Sequence, residues 1–148
     1  MNAVFTPTSI PHREPFLFVD DIVEISDARI VTRKLADPEA DFFRGHYPGN
    51  PIMPAVLLCE CCFQAGALLM THRLGGPDKI DGIPVVTRIK DARFKRMVRP
   101  GDVLTIEAVL DDELDNAYYM TGRVSVLDKP IVRVTFACML TPKEASSS

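Results

Sequence analysis

Apolar and polar positions alternate with a period of two through most of the second half of the chain. Leu104, Ile106, Ala108 and Leu110 interleave with Thr105, Glu107 and Val109, and Val132, Val134, Phe136, Cys138 and Leu140 mark one face of the last such run. This is the pattern of half-buried strands. Further strands are predicted over 16–25, 29–35, 84–95 and 118–127. Turns are expected at Pro100-Gly101-Asp102 and Asp128-Lys129-Pro130, and the polar stretch 111–116 reads as a connection. Residues 1–10 are poorly patterned and read as an N-terminal arm; 143–148 read as a disordered tail.

One segment breaks the rhythm. From Pro54 to about Leu74 the residues suit a helix, with proline in the first turn where its missing N–H costs nothing, and Gly75-Gly76-Pro77 as the stop. Ala55, Val56, Leu57, Leu58, Phe63, Ala65 and Ala67 to Met70 make it apolar nearly all round. A stripe would suffice to sit on a sheet, so this helix must be wrapped by one, with a dimer partner covering what remains. The expected architecture is α+β, one antiparallel sheet around one long helix, in a single domain spanning 1–148. Glu60 and Gln64 interrupt the apolar surface at i and i+4, hence on one face, and whatever covers that face must be polar or wet.

The long connection 36–53 carries the other conspicuous chemistry. It places His46 among Gly45, Gly49 and prolines at 48, 51 and 54, which together fix one loop shape. An imidazole in a stiff loop and a carboxylate in a greasy helix suggest acid–base work. The plainer readings are a histidine that caps a turn and a glutamate paired with an arginine across an interface. His12 and Arg13 are read as braces for the first strand, His72 as a favourable charge near the helix end, and Gln64 as a hydrogen-bond partner for Glu60 or the loop.

Composition narrows the classes. With 148 residues, 47% hydrophobic and 25% charged, the chain is an ordinary globular domain. A net charge of −3 excludes a bulk basic nucleic-acid binder. No secretory signal pattern opens the sequence and no apolar run reaches membrane-span length, so a cytoplasmic location is expected. The cysteines at 59, 61, 62 and 138 lack the paired spacing of a zinc site and read as small buried hydrophobes, with no metal expected. Charge is nonetheless local: 88–99 holds Arg88, Lys90, Arg93, Lys95, Arg96 and Arg99 against Asp91 alone. With only Phe94 among them, this suits an acidic protein partner better than nucleic acid. A solvated strand edge is the plainer alternative.

Pro11-His12-Arg13-Glu14-Pro15-Phe16-Leu17-Phe18-Val19-Asp20, the loop from Phe42 through Met53-Pro54, Glu60 with Gln64, and Ala92-Arg93-Phe94-Lys95-Arg96 followed by Pro100-Gly101-Asp102 occur in one order over 10–142. In these motifs the chain resembles the (3R)-hydroxyacyl-acyl carrier protein dehydratases of type II fatty acid synthesis, which have the hot-dog fold. The resemblance implies elimination of water from a 3-hydroxyacyl chain on acyl carrier protein, giving the trans-2-enoyl product without a cofactor. It implies His46 as the base at C2 and Glu60 of a partner subunit as the acid at C3, in a homodimer or trimer of dimers. Ala55 and Val56 would supply N–H groups for the enolate oxygen, Gly49 and Gln64 would line the substrate, and Arg93, Lys95, Arg96 and Arg99 would dock the carrier protein. Three places depart from the family pattern, one of them the segment around Leu35–Asp37, which replaces an asparagine-serine stretch common before the loop. Ala55 and Arg88 stand where it usually has glycine, the first bearing on the oxyanion site and the second on the acyl tunnel. The alternatives carried forward are a hot-dog thioesterase and a non-catalytic acyl-binding homologue.

Overall fold

Pro54 opens the long helix in extended conformation, and its carbonyl accepts from the N–H groups of Leu57 and Leu58. The helix, α2, spans Ala55–Arg73 and stops where Gly75 and Gly76, both at positive φ, turn back to bond the carbonyls of His72 and Thr71. Its buried positions run from Leu58 through Thr71, broken only by Glu60 and Phe63. By length and apolarity alone α2 would cross a membrane, yet 72% of that stretch is buried inside the protein.

What buries it is a six-stranded antiparallel sheet. The strands are β1 (Asp21–Ile25), β2 (Arg29–Leu35), β3 (Ile83–Phe94), β4 (Val103–Leu114), β5 (Ala117–Val126) and β6 (Lys129–Thr141), in the spatial order β1-β2-β4-β5-β6-β3. The computed structural model describes residues 5–142. Register sets the inner rungs: Ile30, Ala108, Gly122 and Val134 face the helix on one, Thr32, Ile106, Val124 and Val132 on the next. Gly122 is where sheet and helix come closest, since a Cβ there would stand 2.6 Å from the Cβ of Cys62. β3 closes one edge of the sheet and leaves Val85, Val86, Ile89 and Phe94 exposed.

Three expectations are corrected. The first strand begins at Asp21 rather than near residue 16, because Phe16 to Phe18 are held against α2 by the Gln64 side chain instead of by a neighbouring strand. The stretch 111–116 is not a connection. β4 continues to Leu114 and turns at Asp115, and its end is polar because no core lies beneath it. The loop 36–53 contains a short helix, α1, over Asp41–Gly45. The described part of the N-terminal arm packs on the body of the domain. Phe5 packs on the ring of His72, Pro7–Ser9 forms a 3-10 turn, and Ile10 is buried. The tail 143–148 lies outside the described residues.

Candidate active site

His46 follows α1 directly and is half-buried. Its Nδ1 lies 2.9 Å from the carbonyl oxygen of Ile52. A carbonyl only accepts, so Nδ1 carries the hydrogen, and in the neutral ring the lone pair is on Nε2. The loop is clamped around that ring. Tyr47 adopts a left-handed backbone at φ 56°, and its carbonyl accepts from Asn50. The Arg99 guanidinium donates to Asn50 Oδ1 at 2.6 Å, and Met53 N–H donates to the Val98 carbonyl at 2.8 Å. A non-glycine residue at positive φ beside a functional ring is a common site of stored backbone strain.

Glu60 sits in the second turn of α2 and is partly exposed. Its Oε2 accepts from Gln64 Nε2 at 2.9 Å and lies 3.7 Å from His12 Nε2. Gln64 is fully buried, donates also to the Phe16 carbonyl at 2.8 Å, and accepts from Phe18 N–H at 2.7 Å. The amide therefore has no freedom to flip, because Phe18 N–H requires an oxygen on that side. Burial lowers the pKa of His12 from the ordinary histidine value, against the opposing pull of Glu60 and with a smaller push from Arg13. His12 and Glu60 line a cleft of about 390 Å³ together with Phe63 and Ala67 of α2 and with Val85, Val86 and Ile89 of β3.

The cysteines near this cleft are not its reagents. Burial pushes the thiols of Cys61 and Cys138 up to about 12 and raises those of Cys59 and Cys62, so all four stay protonated and poorly nucleophilic at neutral pH. Among the described residues no three His, Cys, Asp or Glu side chains gather as a metal site.

The structure brings Glu60, Gln64 and His12 together. No hydrogen bond or ion pair within the chain joins His46 to that group, and His46 does not line the Glu60 cleft. Ala55 and Val56 are exposed at the start of α2, and their N–H groups make no hydrogen bond among the described residues. Gly49 is exposed and has open space around it. Arg88 is misplaced by the tunnel reading. It lies on the outer face of the sheet, beside Lys90, Asp111 and Tyr119, because the register of β3 turns Ile89 and not Arg88 toward the helix side. Sequence reading missed two things. His12 stands against the Glu60 carboxylate, 48 positions away along the chain, a separation at which no local pattern signals contact. Arg93 is aligned across the sheet with Arg133 and Arg123, a rung that becomes visible only once register is known.

The FabA-like domain family matches residues 10–135. The 3-hydroxyacyl-[acyl-carrier-protein] dehydratase FabZ of Oenococcus oeni is 42% identical over 119 residues, covering 78% of this chain and 82% of that protein. The enzyme of the same name from Anaeromyxobacter dehalogenans is 38% identical over 136 residues, covering 91% and 87%. Among solved structures, the dehydratase heterocomplex ApeI:P from Xenorhabdus doucetiae superimposes with a TM-score of 0.81 at 16% identity, covering 95% of this chain and 94% of that one. A hypothetical thioesterase with coenzyme A from Streptococcus pneumoniae gives 0.63 at 17% identity, covering 84% and 88%. The two structural likenesses show a hot-dog fold, and on the sequence matches the chain belongs to the FabZ family of FabA-like domains.

Proposed function

We propose that the chain dehydrates (3R)-3-hydroxyacyl-acyl carrier protein to the trans-2-enoyl thioester in fatty acid or related acyl-chain synthesis in the cytoplasm. The observation that carries this reading is the His46 ring, whose Nδ1–H is committed to Ile52 and whose Nε2 is left as a base. Nε2 takes the C2 proton, and the thioester oxygen gathers negative charge, which the free N–H groups of Ala55 and Val56 at the start of α2 receive. Glu60 gives a proton to the C3 hydroxyl, which leaves as water. The methyl of Ala55 narrows the approach to the oxyanion site but keeps its N–H. The elimination changes no oxidation state overall, so base and acid suffice.

Base and acid belong to different subunits in this reading. The edge strand β3 exposes an apolar row beside the Glu60 cleft, and a second copy pairing there would cover that row and deliver its own His46. A homodimer with shared sites follows, with trimers of dimers as a further assembly. Intact-mass measurement of 3-hydroxyacyl-carrier protein incubated with the enzyme tests the reaction. Loss of one water from the acyl chain supports it. Free acid would identify a thioesterase, and an unchanged substrate bound by intact dimers an acyl-binding homologue.

The carrier protein is acidic, and the basic rung gives it a surface. Arg93, Arg133 and Arg123 stand directly opposite one another on the outer face. Like charges so placed repel, and among the described residues only Arg123 of the three has an ion-pair partner, Glu107 at 3.4 Å. Lys95 and Arg96 continue the strip toward Arg99, which is tied to the His46 loop through Asn50. Reversing Arg93 and Arg133 to glutamate is expected to raise KM for carrier-linked substrate by about tenfold. Turnover of an N-acetylcysteamine thioester, which has no protein to dock, should stay at the wild-type rate. Equal losses on both substrates would remove the docking role.

A further inference from the structure

His12 stands beside the proposed acid and has no part in the steps above. It lines the cleft with Glu60. Its Nε2 is 3.7 Å from Glu60 Oε2, and its Nδ1 is buried with no hydrogen-bond partner among the described residues. An imidazolium needs acceptors for two N–H groups. A proton on Nδ1 would be sealed from water with no acceptor, which disfavours both the cation and the Nδ1–H tautomer. What remains is a neutral ring with Nε2–H toward the carboxyl group.

The groups facing His12 are few. They are Glu60 from α2, the neighbouring Arg13, and Cys138 of β6; β3 contributes only Pro84, Val85, Val86 and Ile89. Glu60 Oε2 already accepts from Gln64, whose orientation is fixed by Phe18. Glu60 Oε1 makes no hydrogen bond among the described residues.

We propose that His12 is a positioning residue for Glu60: its neutral ring directs Nε2–H at Oε2 across 3.7 Å, a polar contact longer than a hydrogen bond, and with the hydrogen bond from the Gln64 amide it biases the acid proton onto Oε1, the oxygen left for substrate. This rests on the reading of Glu60 as the acid. In the elimination the Oε1–H bond breaks and the proton goes to the C3 oxygen. The C3–O electron pair leaves with water, the C2–H pair becomes the new double bond, and the Gln64 hydrogen bond together with the nearby Nε2–H dipole of His12 stabilises the carboxylate that forms. A cation in place of His12 would favour the carboxylate before substrate arrives.

The test uses the full chain and an N-acetylcysteamine-linked 3-hydroxyacyl thioester, with pH profiles of kcat and kcat/KM. His12→Leu should lower kcat by about tenfold or more with KM nearly unchanged, and His12→Asn, which restores a neutral donor, should recover most of it. His12→Lys should move the alkaline limb of kcat/KM down by about one pH unit or more. Equal rates for the Leu and Asn variants, or an unmoved limb in a folded Lys variant, would overturn the proposal. Should the Lys variant fail to fold by circular dichroism, the Leu and Asn pair decides. Glu60→Gln is the control: if it is inactive while the His12 variants behave as wild type, only the His12 role falls. Wild-type activity in Glu60→Gln would instead remove the acid assignment itself.

Discussion

His46→Ala is expected to dehydrate 3-hydroxyacyl-carrier protein roughly 10²–10⁴-fold more slowly than wild type while keeping its fold. The loss falls on chemistry because the loop does not depend on the ring alone. Arg99 to Asn50, Met53 to Val98 and the Asn50 N–H to the Tyr47 carbonyl all remain when the imidazole is removed. No other histidine lies within the loop, whose carboxylates Asp37, Glu39 and Asp41 are exposed to solvent, and the four thiols are held protonated by burial. The mass-based turnover assay with near-ultraviolet circular dichroism as the fold control measures this; activity within tenfold of wild type would remove His46 as the base. Because base and acid are assigned to different subunits, mixing His46→Ala with Glu60→Gln chains should restore activity. Random exchange puts one intact site in every mixed dimer, or roughly a quarter of the wild-type rate. No recovery after verified exchange would mean that each chain completes its own site.

Gly122→Ala is expected to lower Tm by roughly 5–10 °C, from an overpacking cost of about 3 kcal/mol. The added methyl would meet the Cβ of Cys62 at 2.6 Å, its Sγ at 2.8 Å and the Phe136 ring at 3.3 Å. A side-chain tip could swing away, but a Cβ moves only with the α2 backbone. α2 in turn cannot back off without loosening Gln64 from Phe16 and Phe18. Thermal unfolding of the variant checks this, and a Tm within about 2 °C of wild type would show that helix and sheet are less tightly apposed.

The same contacts explain how far the sequence could be read. Period-two runs such as Val132 to Leu140 and the all-round apolar helix announced the wrapped architecture, because burial against a core imposes those patterns directly. Where no core lies underneath, the pattern failed. The end of β4 over Asp111 to Leu114 is held by ladder hydrogen bonds with β5, and its side chains carry no alternation to read. Phe16 to Val19 failed for the opposite reason. Leu17 to Val19 are buried and the stretch looks like a strand, but the partner of Phe16 and Phe18 is one glutamine amide. At the site, loop stiffness and the Glu60–Gln64 spacing were visible along the chain. The approach of His12 to Glu60 and the alignment of Arg93, Arg133 and Arg123 join residues far apart in sequence, so only folding and register create them. Arg88 shows the same limit, since one bulge between Val86 and Arg88 decides which side of β3 its side chain takes.

The overhanging β4–β5 hairpin has a practical meaning. Its turn at Asp115 and Asn116 is exposed, with Leu114 exposed beside it, and it is tied to the rest of the domain through its polar edge, by Arg73 to Glu113 and by the Asn116 amide to the Leu140 carbonyl. Such a tip accepts inserted sequence more readily than any position over the core. It is therefore a graft point, an address at which the enzyme could be tethered to a support or fused to a neighbouring catalyst while the His46 loop and the Glu60 cleft stay untouched.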